Sequence, residues 1–351
     1  FAEPSGDACD SYHRWREDMD LVAGVGLNTY RFSLEWSRIE PAEGEFSRAA
    51  LDHYRRMVDG ARERGLTPIV TLVHFTMPCW LMHDGGWTGP KTGDRIARFT
   101  EFALPALRDA EYVATVNEPN LMACQPVMGA MARRGEEIKG LPRPDQGVAD
   151  ALLGLHGRSM AVLKDAGIER AGMTLIGREH IAEDGGEERM REERAAFEDQ
   201  FLEAAAGDDW LGLQIYTSAR FGPDGLVAVA PEKQTLAHGM ERRPEALGAA
   251  VRRAAEVLPD VPLLVTENGI ATADDEDRIR FTDEALRGLA GAIADGADVR
   301  GYLHWSLLDN FEWMLGYAPT FGLVSVDRET FARTPKPSLA WLGEVARRNG
   351  L

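Results

Sequence analysis

Seven short, almost continuously apolar runs recur along the chain: Asn28–Leu34, Pro68–Val73, Tyr112–Val116, Ala171–Ile176, Leu211–Tyr216, Pro262–Thr266 and Gly301–Trp305. Runs of this length without polar alternation predict strands covered on both faces. The intervals between them carry helical periodicity. Ser47 is placed to cap a helix in which Leu51, Tyr54, Val58 and Ala61 form one face, and Gly65 supplies the stop. A later helix is marked by Phe281, Leu286, Leu289 and Ile293 and closed by Gly296. The segment 183–194 is so charged that a solvated face is expected there. Strands alternating with helices predict an α/β fold with a parallel sheet.

The length of 351 residues allows two or three domains or one large barrel. No composition shift, low-complexity linker or internal repeat divides the chain, and the first strand–helix turn holds no GxGxxG, which a dinucleotide-binding fold would want. A single α/β barrel domain over residues 1–351 is therefore expected. A formal charge of −18, from 39 basic and 57 acidic side chains, argues against nucleic acid and against an anionic membrane surface. Cys9, Cys79 and Cys124 are odd in number and form no CxxC pair. They are read as free thiols in a reducing compartment, with a cytoplasmic location expected. No run of 18 apolar residues suggests a membrane span, and the opening Phe-Ala-Glu-Pro-Ser-Gly-Asp, which lacks an initiating Met, has no signal-peptide pattern.

A parallel barrel builds its site at the C-terminal ends of its strands. Polar, aromatic and titratable residues stand at nearly every strand exit here. The first run carries Arg31 and ends in Glu35-Trp36, and the second ends in His74-Phe75. Asn117-Glu118-Pro119, Tyr216, Glu267-Asn268-Gly269 and His304-Trp305-Ser306 follow at later exits. Glu118 and Glu267 come from different strands and can face one another across the barrel mouth. A facing carboxyl pair is what glycoside hydrolysis requires, one group protonating the leaving oxygen while the other attacks carbon or activates water. His74 and His304 lie in no HxH or HExxH context, so a metal-dependent hydrolase is disfavoured, and neither metal nor cofactor is expected.

The ordered segments YRFSLEWSRIEP, TLVHFTMPCWL, TVNEPN, VTENGI and HWSLLDNFEWMLGYAPTFGLVSVD resemble family 1 of the glycoside hydrolases, the β-glucosidase and β-galactosidase group. The resemblance covers the chain from about Ser5 to Leu342. It implies a (β/α)8 TIM barrel and retaining hydrolysis of small or oligomeric β-glycosides through a covalent glycosyl–enzyme. It also implies that Glu118 is the acid/base, Glu267 the nucleophile and Asn117 the ligand of the sugar 2-hydroxyl. Arg31 and Tyr216 would contact the nucleophile. His74, Trp305, Glu312, Trp313 and Phe321 would form the sugar platform and its hydroxyl clamp. In proteins of this resemblance the Trp305–Ser306 peptide is cis.

The chain departs from the family pattern in three places. The first barrel strand, with its sugar-binding Gln, is not found: either it lies upstream of residue 1, the preferred expectation because a parallel barrel lacking one strand leaves two open edges, or it is lost. The usual Asn-Tyr-Tyr is Gln214-Ile215-Tyr216, and a frequent Trp after the strand-end His is Phe75. Glu312 would repel a phosphosugar. A transglycosylase using the same intermediate and a non-catalytic sugar-binding barrel remain as alternatives, although both Glu118 and Glu267 are present. The oligomeric state and the aglycone are not legible in the sequence.

Overall fold

The computed structural model describes residues 3–136, 140–237 and 240–351. Seven parallel strands form its main sheet: β1 Thr29–Ser33, β2 Thr67–Val73, β3 Tyr112–Asn117, β4 Ala171–Ala182, β5 Trp210–Gly222, β7 Leu263–Glu267 and β8 Val299–Tyr302. A short β6, Gly225–Val227, folds back antiparallel on β5. The parallel strands follow sequence order from β1 to β8 across the sheet, with helices between them. β1 and β7 are not neighbours, yet Arg31 of β1 donates to Glu267 of β7 at 2.6 Å. The sheet is therefore curled around its interior, as in a TIM barrel. Among the described residues β1 and β8 each pair on one side only. A cavity of about 1600 Å³ joins the barrel mouth, walled by Arg31, His74 and Trp305, to the opening between those edges, walled by Tyr30 and Tyr302.

The apolar runs place the strands well and misplace three of their ends. β4 and β5 continue past Ile176 and Tyr216 because their polar outer halves still pair with each other, Glu179 opposite Ser218 through Ala182 opposite Phe221. Backbone pairing, not apolar side chains, sets that length. β8 ends at Tyr302, earlier than the run to Trp305 predicts. Beyond it Leu303 N–H still donates to Val265 O, and Trp305 N–H donates to Asn268 O at 2.9 Å. His304 and Trp305 thus belong to a loop held against β7. The peptide between Trp305 and Ser306 is cis.

The helices follow from local chemistry. Ser47 Oγ accepts from Ala50 N–H at 3.2 Å and caps Arg48–Glu63, whose Leu51, Tyr54, Val58 and Ala61 are buried. Gly65 follows at φ +71°, a conformation that favours glycine. Asp274 caps the helix Asp275–Ala294. Its inward face differs from the expected one: Phe281, Ala285, Leu289 and Ala292 are buried, while Ile293 is 47% exposed. The reason is a close crossing with the helix Ala246–Val257. A Cβ on Gly248 would stand 2.5 Å from Gly288 O, so small residues occupy the contact and Ile293 is turned outward. The helix Glu187–Arg194 buries no residue, in keeping with its charge. Cys9 and Cys124 are buried free thiols, whereas Cys79 is exposed.

This difference in burial along one helix predicts unequal costs. Phe281→Ala should destabilise the protein by about 3–5 kcal/mol. Ile293→Ala should stay within about 0.5 kcal/mol. Urea unfolding midpoints, compared at unchanged slope, check both values.

Candidate active site

Glu118 and Glu267 lie at the exits of β3 and β7. Glu267 is the last residue of β7. Glu118 follows Asn117, the last residue of β3, and takes φ +47° before Pro119 opens the helix Pro119–Arg133. Proline suits this first helical position because its missing N–H would have no intrahelical partner. Glu118 N–H is tied to Thr174 O of β4 at 2.7 Å, which holds the turn against the sheet. Residues at left-handed φ are uncommon outside glycine, and Glu118 is joined there by Phe75 at +68° and Trp313 at +49°. All three surround the barrel mouth.

A buried hydrogen-bond network distinguishes the two carboxyls. Glu267 Oε1 accepts from Arg31 at 2.6 Å and from Gln214 Nε2 at 2.7 Å. Its Oε2 accepts from the Tyr216 hydroxyl at 2.5 Å. Asn117 Oδ1 accepts from Arg31, from Thr174 Oγ1 at 3.0 Å and from Gln214 Nε2 at 2.8 Å. Three donors on that oxygen fix the amide orientation, which leaves Asn117 Nδ2 to donate elsewhere. The Glu118 carboxyl, in contrast, receives no hydrogen bond from the described side chains, although the residue is only 4% exposed.

The electrostatics follow from this asymmetry. Burial, then the charge of Glu267, raise the Glu118 carboxyl well above the usual carboxylate range. Burial also raises Glu267, but the Arg31 charge and the Tyr216 and Arg31 hydrogen bonds oppose it. Two interacting carboxyls lose their protons as a pair. Three donors favour the charge on Glu267, and the absence of any on Glu118 among the described side chains favours the proton there. Burial raises Tyr216 well above its ordinary value, so its hydroxyl stays a donor. His74 is pushed down to about 3 by burial and by the Arg31 charge, and His304 to about 3 chiefly by burial, so both imidazoles are neutral. Glu312 is pushed up to about 7, again mainly by burial.

Aromatic groups wall the mouth. The His74 ring lies nearly parallel to Trp305 and to Trp313, with centroids 6.5 and 6.1 Å away. Phe75 meets Trp313 edge-on at 5.2 Å, and Phe321 meets Tyr216 edge-on at 5.9 Å. Trp305 Nε1 donates to Glu312 Oε1 at 3.2 Å. A Cβ on Gly269 would stand 2.0 Å from Trp305 O, so glycine is needed where that loop crosses β7.

The fold brings every sequence-marked residue to one end of the barrel, Glu118 by its place at the exit of β3 and the others through the Glu267 network, the aromatic wall or the Trp305–Glu312 contact. Gln214 and Thr174 join them without having been marked as site residues. The signal for Gln214 was present, since it lies two residues before Tyr216 and so on the same strand face. Thr174 carried none, because a threonine inside a buried strand reads as filler. No group of three or more His, Cys, Asp or Glu among the described residues is placed to hold a metal.

Comparison with known proteins agrees with this geometry. Residues 3–140 and 197–351 match the family described as Glycosyl hydrolase family 1. The chain is 34% identical to a thermostable beta-glucosidase B of Thermobispora bispora, covering 99% of this chain and 82% of that protein. The alignment spans 403 positions, more than the chain's 351 residues, so the relative carries internal segments that this chain lacks. It is 32% identical to a beta-glucosidase of an Agrobacterium species, covering 99% and 86%. Among solved structures, a beta-glycosidase superposes at TM-score 0.90 with 42% identity, covering 100% of this chain and 89% of the other. A beta-glucosidase of Thermotoga maritima in complex with deoxynojirimycin superposes at 0.84 with 27% identity, covering 98% and 88%. With a barrel of this topology, a carboxyl pair at its mouth and a family match across most of its length, the chain belongs to glycosyl hydrolase family 1.

Proposed function

We propose that the protein hydrolyses β-linked glucosides, or closely related β-glycosides, by double displacement with retention. The observation that carries this reading is the unequal environment of the two carboxyls: Glu267 accepts three hydrogen bonds from side chains and Glu118 none. Glu267, ionised, attacks the anomeric carbon. Glu118, protonated, delivers its proton to the departing glycosidic oxygen. Once Glu267 is esterified its charge is gone. Glu118 then loses a main electrostatic reason for holding a proton and serves as the base that activates water.

The other residues position the sugar. Asn117 Nδ2 is the donor left over for the 2-hydroxyl. Trp305 offers its ring to the apolar C–H face of a pyranose, and Glu312 and His74 address hydroxyls around it. Glu312 is oriented by the Trp305 N–H and, when ionised, disfavours a phosphorylated sugar. The beta-glucosidase names of the relatives support a glucoside as the substrate class.

The two carboxylates should separate by chemistry. Glu267→Gly should abolish turnover on all substrates, with partial rescue by formate, which can occupy the vacated space. Glu118→Ala should impair glycosides with poor leaving groups most, by roughly 10²–10⁴-fold, and azide should restore turnover of activated aryl glycosides. Equal losses on good and poor leaving groups, with no anion rescue, would show the roles to be misassigned.

The pH profile gives a second check. The alkaline limb of kcat/KM should report deprotonation of Glu118 and fall above the ordinary carboxylate range. It should vanish in Glu118→Gln assayed on an activated aryl glucoside. Gln214→Leu should lower kcat by roughly 10–100-fold, the cost of a lost hydrogen bond to a buried charge. The same change should move the acid limb upward, because the Glu267 anion has one donor fewer. Stopped-flow and steady-state rates from pH 4 to 9 measure both effects.

A further inference from the structure

The outer half of β4 carries a second concentration of buried ionisable groups, separate from the carboxyl pair. Arg178 is 5% exposed. Its guanidinium lies over the Phe197 ring, 3.6 Å from the centroid. Among the described residues nothing accepts a hydrogen bond from that guanidinium, no carboxylate stands within ion-pair distance, and Nε is enclosed without a partner. Arg95 and Arg278 are as deeply buried, and both are paired: Arg95 with Glu43 and Asp84, Arg278 with Asp275. An unpaired buried charge is expensive, and arginine does not shed its proton at neutral pH. Burial brings Arg178 down only to about 10.

Its neighbours balance it only in part. Glu198 Oε2 accepts the Arg178 backbone N–H at 3.2 Å, but burial pushes that carboxyl up to about 7. His180 is kept uncharged by burial and by the Arg178 and Arg194 charges, and its Nε2 also lacks a partner. Phe197 and Glu198 sit on a π-helical turn, Ala195–Asp199, a feature concentrated at functional sites.

Arg178 lies in the wall of a cavity of about 540 Å³, together with Phe197, Phe221, Leu226 and Met131. That volume is in the range of small-molecule sites. Arg143 and Arg189 also border it, but both are engaged by Glu193. The helix that starts after Glu118 contributes Val127 and Met131 to the same wall. At 1.5 Å per residue this places the cavity roughly 13 Å along the helix from the acid/base.

We propose that this cavity binds an organic monocarboxylate with an apolar or aromatic body. The carboxylate pairs with Arg178, whose planar fork matches it, and the body packs against Phe221 and Leu226. One unpaired positive charge suits one negative charge. Glu193 and Asp224 in the same wall oppose a dianion such as phosphate. The proposal is independent of the glycosidase reading, because none of these residues touches the Glu267 network.

Benzoate is the probe, titrated calorimetrically into the whole protein, with benzamide as its neutral isostere. Benzoate should bind one equivalent at least tenfold more tightly than benzamide, without competing against an aryl β-glucoside. Arg178→Met and Leu226→Trp should each weaken it tenfold or more and leave kcat/KM for the glucoside unchanged in the absence of benzoate. Leu226→Trp fills the cavity without altering the arginine, so it carries the test if Arg178→Met fails to fold. Absence of binding at millimolar benzoate, equal affinity for benzamide, undiminished binding in either folded variant, or competition with the glucoside would overturn the proposal.

Discussion

Arg31 reaches across the barrel interior from β1 to Glu267 at the end of β7, and it also holds Asn117 of β3. The constraint behind this contact is the cost of a carboxylate that is nearly out of water. Glu267 is 5% exposed, and an ionised carboxylate in such a place persists only with a countercharge and hydrogen bonds. Arg31, Gln214 and Tyr216 supply these from β1 and β5, strands apart from the one that carries Glu267. Gln214 and Tyr216 reach Glu267 from the neighbouring strand β5, and the curl of the sheet brings Arg31 of β1 within bonding distance. The same arrangement leaves Glu118 without a donor among the described side chains, which favours the charge on Glu267 and the proton on Glu118.

Around this centre the backbone accepts unusual conformations. Glu118 sits at left-handed φ between a strand and a helix, and its N–H is held by Thr174 O. Phe75 and Trp313, also at positive φ, pack edge-on against each other. Such residues cost energy in isolation and are kept by surrounding structure that over-determines them. The supports are visible: the β3–β4 pairing on one side, and on the other the loop after β8, bonded to Asn268 O and passing over Gly269. Rigid strand exits therefore carry the carboxyls, while the loops carry the aromatic wall.

The outer half of β4 obeys the same electrostatic rule with a different outcome. Where Arg31 is balanced by Glu267, Arg178 has an aromatic face and a partly protonated neighbour, and a cavity beside it. Nothing in the local sequence distinguishes these two arginines, each inside a strand. Their surroundings do: Glu267 meets Arg31 from 236 residues away, whereas Phe197 and Glu198 flank Arg178 from the π-helical turn that comes after β4 in the chain.

The sequence by itself determined the order of strands and helices, because apolar continuity and 3.6-residue spacing are local properties. It also determined which exits carry Glu118 and Glu267, because TVNEPN and VTENGI sit directly after buried runs. It could not give the true length of β4 and β5, which depends on pairing between strands, nor the buried face of Asp275–Ala294, which depends on the Gly248–Gly288 crossing. Only the tertiary structure decided that Gln214 bridges Asn117 and Glu267, that Thr174 also donates to Asn117, and that the Arg178 Nε has no hydrogen-bond partner among the described residues. The physical reason is that a hydrogen bond or an ion pair depends on distance in space, and side chains 40 to 236 residues apart meet at this site only after the strands have paired and the sheet has curled.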